Sequence, residues 1–318
     1  MKIKPLIIVA LILCATAALF ILLRGKPSKG QIVVIKYATH PALNQLEESF
    51  TASIQGFASN NSLTIEHWNA GGSRQKAKQL AESASPSQVK LLVALATPAA
   101  QAVNDTPSPI PLLYGAVADP QGGGLTSSSR TAGIQNAGSN VVSTALQFLK
   151  ATFPKVTNVG TIYNPNEPNS LFVQKIIGEQ APLYGIRIIA RQVTTVSQLK
   201  VTAEDLCAQV DAIYCSNDNL VNLGAAAVSA AAKESKKPFF IGELNSMEYG
   251  PTAAVGVDYT EMGQDMAVMA EEIIKTGKIP ANPHRPTPVP HIWFDEDAIK
   301  SLGGSVPAIL PPNSKKYP

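Results

Sequence analysis

What most constrains this chain is an alternation of short apolar runs with helical patterns, sustained from Gln31 past residue 250. The run Leu91-Leu92-Val93-Ala94-Leu95-Ala96 is uninterrupted, which fits a strand buried on both faces, as parallel sheets require. Strands are expected at 33–37, 63–68, 89–96 and 111–117. Between them, Leu46, Phe50, Ile54 and Phe57 fall on one face of a helix over 44–57, and further helices read at 74–84 and 99–104. After a helix over 141–153 the pattern restarts, with strands at 158–163, 186–193, 212–215, 238–241 and 253–257. Helices over 170–184, 196–209 and the Ala-rich stretch 220–235 separate these strands. The second series restates the first at an offset of about 125 residues, too long for a solenoid repeat.

The expected fold is therefore α/β: two similar doubly wound parallel-sheet lobes joined by a multi-strand hinge and preceded by an N-terminal transmembrane or signal helix. A helix over 261–275, a segment over 279–291 with five prolines and a strand over 291–294 carry the chain back across the lobes. The expected division is a signal anchor and linker over 1–30, a first lobe of 31–138 with 262–288, and a second lobe of 139–261 with 289–318. The length of 318 residues suits two cores.

At the N-terminus, Lys2 and Lys4 precede an uncharged run over 5–23, and Arg24, Lys26 and Lys29 follow it. Its length favours an uncleaved membrane anchor over a signal peptide, whose apolar core is usually about 7–15 residues. Cys14 follows Leu13, where lipoprotein processing requires a small side chain, so lipidation is disfavoured. Cys207 and Cys215 lack metal-ligand spacing and read as small buried hydrophobes. The net charge of +3 is spread thinly, without a basic stripe interleaved with aromatics, which sets nucleic acid aside as a partner.

In open α/β sheets, ligands sit beyond the C-terminal strand ends. Those ends read Thr39-His40, Trp68-Asn69, Thr97-Pro98-Ala99 and Asp119-Pro120 in the first half. In the second half they read 164–170, Ser216-Asn217-Asp218, 243–246 and Asp258-Tyr259. Small polar and amide side chains dominate, the composition of a hydrogen-bonding cleft with helix N-termini available for a carboxylate. Capping and turn formation explain several of the same residues: Thr97-Pro98 as a helix start, Asp119 in a turn, Asn164 to Glu167 as turn plus cap. The four histidines, His40, His67, His284 and His291, have no partner at catalytic or ligand spacing, and no Gly-x-Ser-x-Gly elbow occurs. Neither an enzyme nor a cofactor is expected.

The stretches 37–43 (Tyr-Ala-Thr-His-Pro-Ala-Leu), 94–101 (Ala-Leu-Ala-Thr-Pro-Ala-Ala-Gln), 115–122 (Gly-Ala-Val-Ala-Asp-Pro-Gln-Gly), 163–170 (Tyr-Asn-Pro-Asn-Glu-Pro-Asn-Ser) and 216–218 (Ser-Asn-Asp) share one feature. In order and spacing, the chain over 33–307 resembles the ABC-transporter substrate-binding family that includes tryptophan- and tyrosine-binding lipoproteins. The resemblance implies a type I periplasmic-binding fold with three inter-lobe crossings, an amino-acid-like ligand that is commonly aromatic, and an ABC permease as membrane partner. It implies that the turn at Thr97, Pro98 and Ala99 presents backbone amides to a carboxylate; Thr39 and His40 are expected ligand contacts from their place at a strand end, His40 as a polar wall or lobe-contact residue. Asp119, Asn164, Glu167 and Ser170 would line the cleft, Asn217 and Asp218 would face them, and Asp258 would be an ammonium partner. Two features depart from the family: a long apolar anchor replaces the lipid-attachment cysteine, and 294–297 (Phe-Asp-Glu-Asp) is unusually acidic. A membrane-anchored sensing module, or a sugar- or nucleoside-binding protein on the same fold, are the alternative readings.

Overall fold

The computed structural model describes residues 30–216 and 218–318; the expected anchor, Cys14 and Asn217 lie outside the described residues. Among the described residues no helix is long and apolar enough to cross a membrane.

The first sheet is built in the expected βα alternation. Strand β1 (Gly30–Lys36) leads into helix α1 (Pro41–Asn60), β2 (Leu63–Asn69), α2 (Arg74–Ser83), β3 (Val89–Leu95), α3 (Thr97–Asn104), β4 (Leu112–Val117) and β5 (Thr131–Gln135). The second half runs α4 (Ser139–Thr152), β6 (Asn158–Tyr163), α5 (Pro168–Gln180), β7 (Arg187–Gln192), α6 (Leu199–Cys207), β8 (Ala212–Cys215), α7 (Asn219–Leu223), α8 (Ala225–Glu234), β9 (Phe239–Ile241) and β10 (Ala253–Gly256). The chain then returns through α9 (Tyr259–Thr276), β11 (His284–Arg285), β12 (His291–Phe294), α10 (Glu296–Ser301) and β13 (Ser314–Lys316).

The sheet orders are β11-β5-β4-β3-β1-β2 and β13-β12-β10-β9-β8-β6-β7. Each core therefore has its second strand at the edge and its first and third strands side by side, which is the 2-1-3-4-5 doubly wound order. Pairings are parallel except between β10 and β12. The central strands are buried along their whole length, for example β4 and β8, which explains why they read as continuous apolar runs.

Three segments pass between the sheets: β5 to α4, β10 to α9, and β11 to β12. Val257, Tyr259, Met262 and Met266 already belong to the first hydrophobic core. Helix α9 packs on α1 so closely that a Cβ at Gly263 would lie 2.7 Å from the Phe50 amide nitrogen, an approach that glycine permits. Ser49 Oγ donates to Thr260 O at 2.7 Å and Gln45 Nε2 to Thr260 Oγ1 at 3.1 Å, pinning the start of α9 to the same helix. The third crossing is tied to the first by Thr287 Oγ1 donating to Ala137 O at 2.8 Å and by Asn140 Nδ2 donating to Pro288 O at 3.2 Å. Cys207 and Cys215 are buried free thiols in the second core.

Candidate functional site

A narrow pocket, with a cavity volume of about 10 Å³, lies between the lobes at the C-terminal strand ends, lined by residues of both. The first lobe and its crossings supply His40, Leu43, Ala96, Ala116, Asn136 and Tyr259; the second supplies Asn169, Asn219, Asn222 and Glu243. Among the described residues, no lysine or arginine belongs to the lining, and Glu243 is its only carboxylate. The lobes touch across it: His40 Nε2 donates to Asn219 Oδ1 at 3.2 Å and Asn245 Nδ2 donates to Pro41 O at 3.4 Å.

On the first-lobe side the backbone is the main feature. Ala96, which follows β3 and stands at the N-cap of α3, has φ 81° and ψ 151°, a region that L-residues occupy only under strain. Ala116 has φ 56° and sits where the β4–β5 register shifts, a bulge of the kind that re-aims the main chain beside sites. Helices α1 and α3 both begin at the pocket with proline in the first turn and no side-chain cap at His40 or Ala96. Their N-terminal amides and dipoles thus face a space free of cationic side chains.

The second-lobe side is built from side chains held by one another. Glu167 accepts from Asn219 N (3.2 Å), Asn219 Nδ2 (2.5 Å), Leu220 N (3.2 Å), Asn164 Nδ2 (3.3 Å) and Asn169 Nδ2 (3.0 Å). Asp218 accepts from Asn164 N (2.6 Å), Ser170 Oγ (2.7 Å) and Val221 N (2.9 Å), capping α7. Burial, with the nearby Glu167 second, pushes the Asp218 carboxyl up to about 6. These bonds fix Asn219 and Asn222, one α-helical turn apart, toward the pocket.

Between the two sides runs a buried chain of hydrogen bonds. Asn136 Nδ2 donates to Tyr259 Oη at 2.8 Å, and Tyr259 Oη donates to Glu243 Oε1 at 3.1 Å. Burial raises the Glu243 carboxyl to about 8, an effect that Tyr259 and Asn222 temper. Burial also lowers His40 to about 4, against the Asn219 bond that favours its charged form, so both groups are neutral at pH 7. Among the described residues, His40 Nδ1, Asn136 Oδ1 and Glu243 Oε2 are buried polar atoms without a hydrogen-bond partner.

The structure distributes the expected site residues unevenly. His40 lines the pocket, while Thr97, Pro98 and Ala99 open α3 directly after the lining residue Ala96; Thr97 Oγ1 accepts from Ala118 N at 3.1 Å. Asn164, Glu167, Ser170 and Asp218 come together as the network that supports Asn169 and Asn219. Thr39 is exposed and accepts from Asn69 Nδ2 at 2.6 Å, Asp119 Oδ1 accepts from Gly122 N at 2.8 Å in a turn, and Asp258 Oδ1 caps α9 at Thr260 N (2.7 Å). Asp258, Glu261 and His291 bring one ligand atom each within 4.8 Å of one another, a donor set that a divalent cation accepts. Asn136, Asn169, Asn219, Asn222, Glu243 and Tyr259 lie outside the expected set of binding residues, although 243–246 and Asp258-Tyr259 stand at strand ends that the topology rule points to.

The chain is 26% identical over 281 residues to a tyrosine-binding protein of Clostridioides difficile, covering 85% of this chain and 80% of that protein. Its fold matches an ABC domain from Streptococcus pneumonia in complex with L-Trp, with TM-score 0.83 and 22% identity over 91% of this chain and 99% of that one. A substrate-binding protein with adhesive properties from Clostridium difficile, in its ligand-free open form, matches with TM-score 0.68 and 26% identity over 91% and 99% of the two chains. A family model of ABC transporter substrate binding proteins matches residues 31–291. Two parallel-sheet lobes closing on one pocket have that family's organisation, and this chain belongs to the ABC transporter substrate-binding protein family.

Proposed function

We propose that this substrate-binding protein captures an α-amino acid, one with an aromatic side chain, between its lobes and hands it to an ABC permease without chemical change. It works outside the cytoplasmic membrane, attached through the apolar segment over 5–23. The observation that carries this reading is a pocket without lysine or arginine onto which two helix N-termini open uncapped. Such a site stabilises a carboxylate through backbone amides and dipoles, and Leu43, Ala96, Ala116 and the Tyr259 ring offer apolar surface for a side chain. The tyrosine-binding relative and the L-Trp complex support the aromatic class.

The test is a thermal-shift screen of the twenty amino acids, with sugars and nucleosides as controls, on the chain from Gln31. An amino acid at 100 times its Kd adds about 2.7 kcal/mol, or several degrees for a protein of this size. A shift by a sugar or nucleoside with silence from every amino acid would overturn the ligand class.

A further inference from the structure

We infer that Glu243 is the counter-charge of the ligand's ammonium group and that Asn136 and His40 complete its seat. The inference rests on the amino-acid reading above and adds to it the residues that hold the cation. Its starting point is a mismatch in the lining. Three buried side chains each carry a polar atom with no hydrogen-bond partner among the described residues: Glu243 Oε2, Asn136 Oδ1 and His40 Nδ1. All three residues line the same inter-lobe pocket. Buried polar atoms left without partners cost free energy, and with the Glu243 proton displaced all three are acceptors, so the site calls for a group rich in donors. An ammonium offers three N–H bonds and one positive charge, and Glu243 is the only lining residue that can match that charge.

The partners of each side chain fix which atom is left for the ligand. Tyr259 Oη donates to Glu243 Oε1 at 3.1 Å, which turns Oε2 to the remaining space. Asn136 spends its Nδ2 on Tyr259 Oη at 2.8 Å and keeps its carbonyl. His40 Nε2 donates to Asn219 Oδ1 at 3.2 Å, which makes Nδ1 the unprotonated nitrogen of a neutral ring. The other three carboxylates near the cleft are committed elsewhere: Asp258 Oδ1 to the start of α9, Asp218 to Asn164, Ser170 and Val221, and Glu167 to Asn164, Asn169, Asn219 and Leu220.

The arrangement also sets a proton count. With no cation beside it, burial keeps Glu243 protonated up to about pH 8; an ammonium arriving against Oε2 favours the carboxylate, and the displaced proton leaves to solvent. Affinity then rises with pH, about tenfold per unit, until Glu243 is ionised in the unliganded protein as well. His40 (about 4) and Tyr259, pushed well above its usual value by burial, stay neutral through pH 6.5–8, and Asp218 (about 6) bounds that window from below.

The experiment is isothermal titration of the chain from Gln31 and of its Glu243→Gln variant with L-tryptophan, L-tyrosine and their des-amino counterparts, indole-3-propionate and 3-(4-hydroxyphenyl)propionate. Gln mimics the neutral carboxyl, so the variant's circular-dichroism melt should match or exceed that of the parent. The parent should prefer an amino acid over its des-amino analogue at least 100-fold. Glu243→Gln should erase most of that preference, weakening the amino acid and leaving the analogue within about threefold. Titration in buffers of different ionisation enthalpy should show about one proton released per ligand at pH 7 in the parent and none in the variant. Retained preference in a folded variant, or no proton release by the parent, overturns the assignment of Glu243 and leaves the amino-acid reading intact. Silence of the parent toward both amino acids, with a sugar or nucleoside bound instead, overturns both.

Discussion

The two walls of the pocket are made of different material. At the pocket, the first lobe sets main chain beside its His40 and Leu43 side chains: the strained peptide at Ala96, the bulged one at Ala116 and the opening turns of α1 and α3. The second meets it with side chains, Asn169, Asn219, Asn222 and Glu243, standing on a buried network around Glu167 and Asp218. A backbone wall reads groups that every α-amino acid shares, because its amides are the same whatever the local sequence. A side-chain wall can be changed one residue at a time, which makes it the place where ligand preference is set.

The contrast breaks most easily on the side-chain wall. Glu167→Ala removes the acceptor of five hydrogen bonds and leaves their buried donors unpaired, so denaturant unfolding should show a loss of about 3 kcal/mol or more. A loss below about 1 kcal/mol would mean that the wall is fixed by something else.

The next effect separates the walls by pH. Glu243 (about 8) and Asp218 (about 6) hold protons in the folded protein that the unfolded chain would release, so they lower stability as pH rises through those values. His40, lowered to about 4, does the reverse: the unfolded chain takes up its proton below about 6.5, and stability is lost on acidification toward 4. The ligand-free Tm should therefore rise as pH falls from 8.5 to 6.5, the rise should flatten in Glu243→Gln, and His40→Gln should remove the opposing loss below 6.5. A Tm independent of pH across 6.5–8.5 would sink this account.

The smallest effect is on the backbone wall. Ala96→Gly relieves a conformation worth about 1–3 kcal/mol of strain at an entropic cost of about 0.5–1 kcal/mol, so a net gain near 1 kcal/mol is expected in thermal unfolding. A net loss would show that the Ala96 geometry is not strained.

The double α/β architecture was legible because buried parallel strands leave continuous apolar runs, and β6 and β8 fall on their expected bounds. Strand β5 was not: Thr131–Gln135 is five residues interrupted by Gly133, where a Cβ would lie 2.2 Å from Tyr114 O. Missing that strand hid Asn136, the residue just after it. The strand-end rule did point to the loops carrying Glu243 and Tyr259. It could not sort polar residues that face the pocket from those that cap and brace its wall, as Glu167, Ser170 and Asp218 do, since composition at a strand end is the same for both tasks and only the closed packing of two distant segments decides between them.

The hydrogen-bonded line from Asn136 through Tyr259 to Glu243 passes through two of the three segments on which the lobes pivot. Closing those lobes over nothing would strand three polar atoms, at about 1–3 kcal/mol each, while closing over cargo satisfies them. On the transport reading proposed above, shape then becomes a faithful report of occupancy: a permease that recognises the shut form would hear few false alarms, and nucleotide hydrolysis on its far side would rarely be spent on an empty delivery.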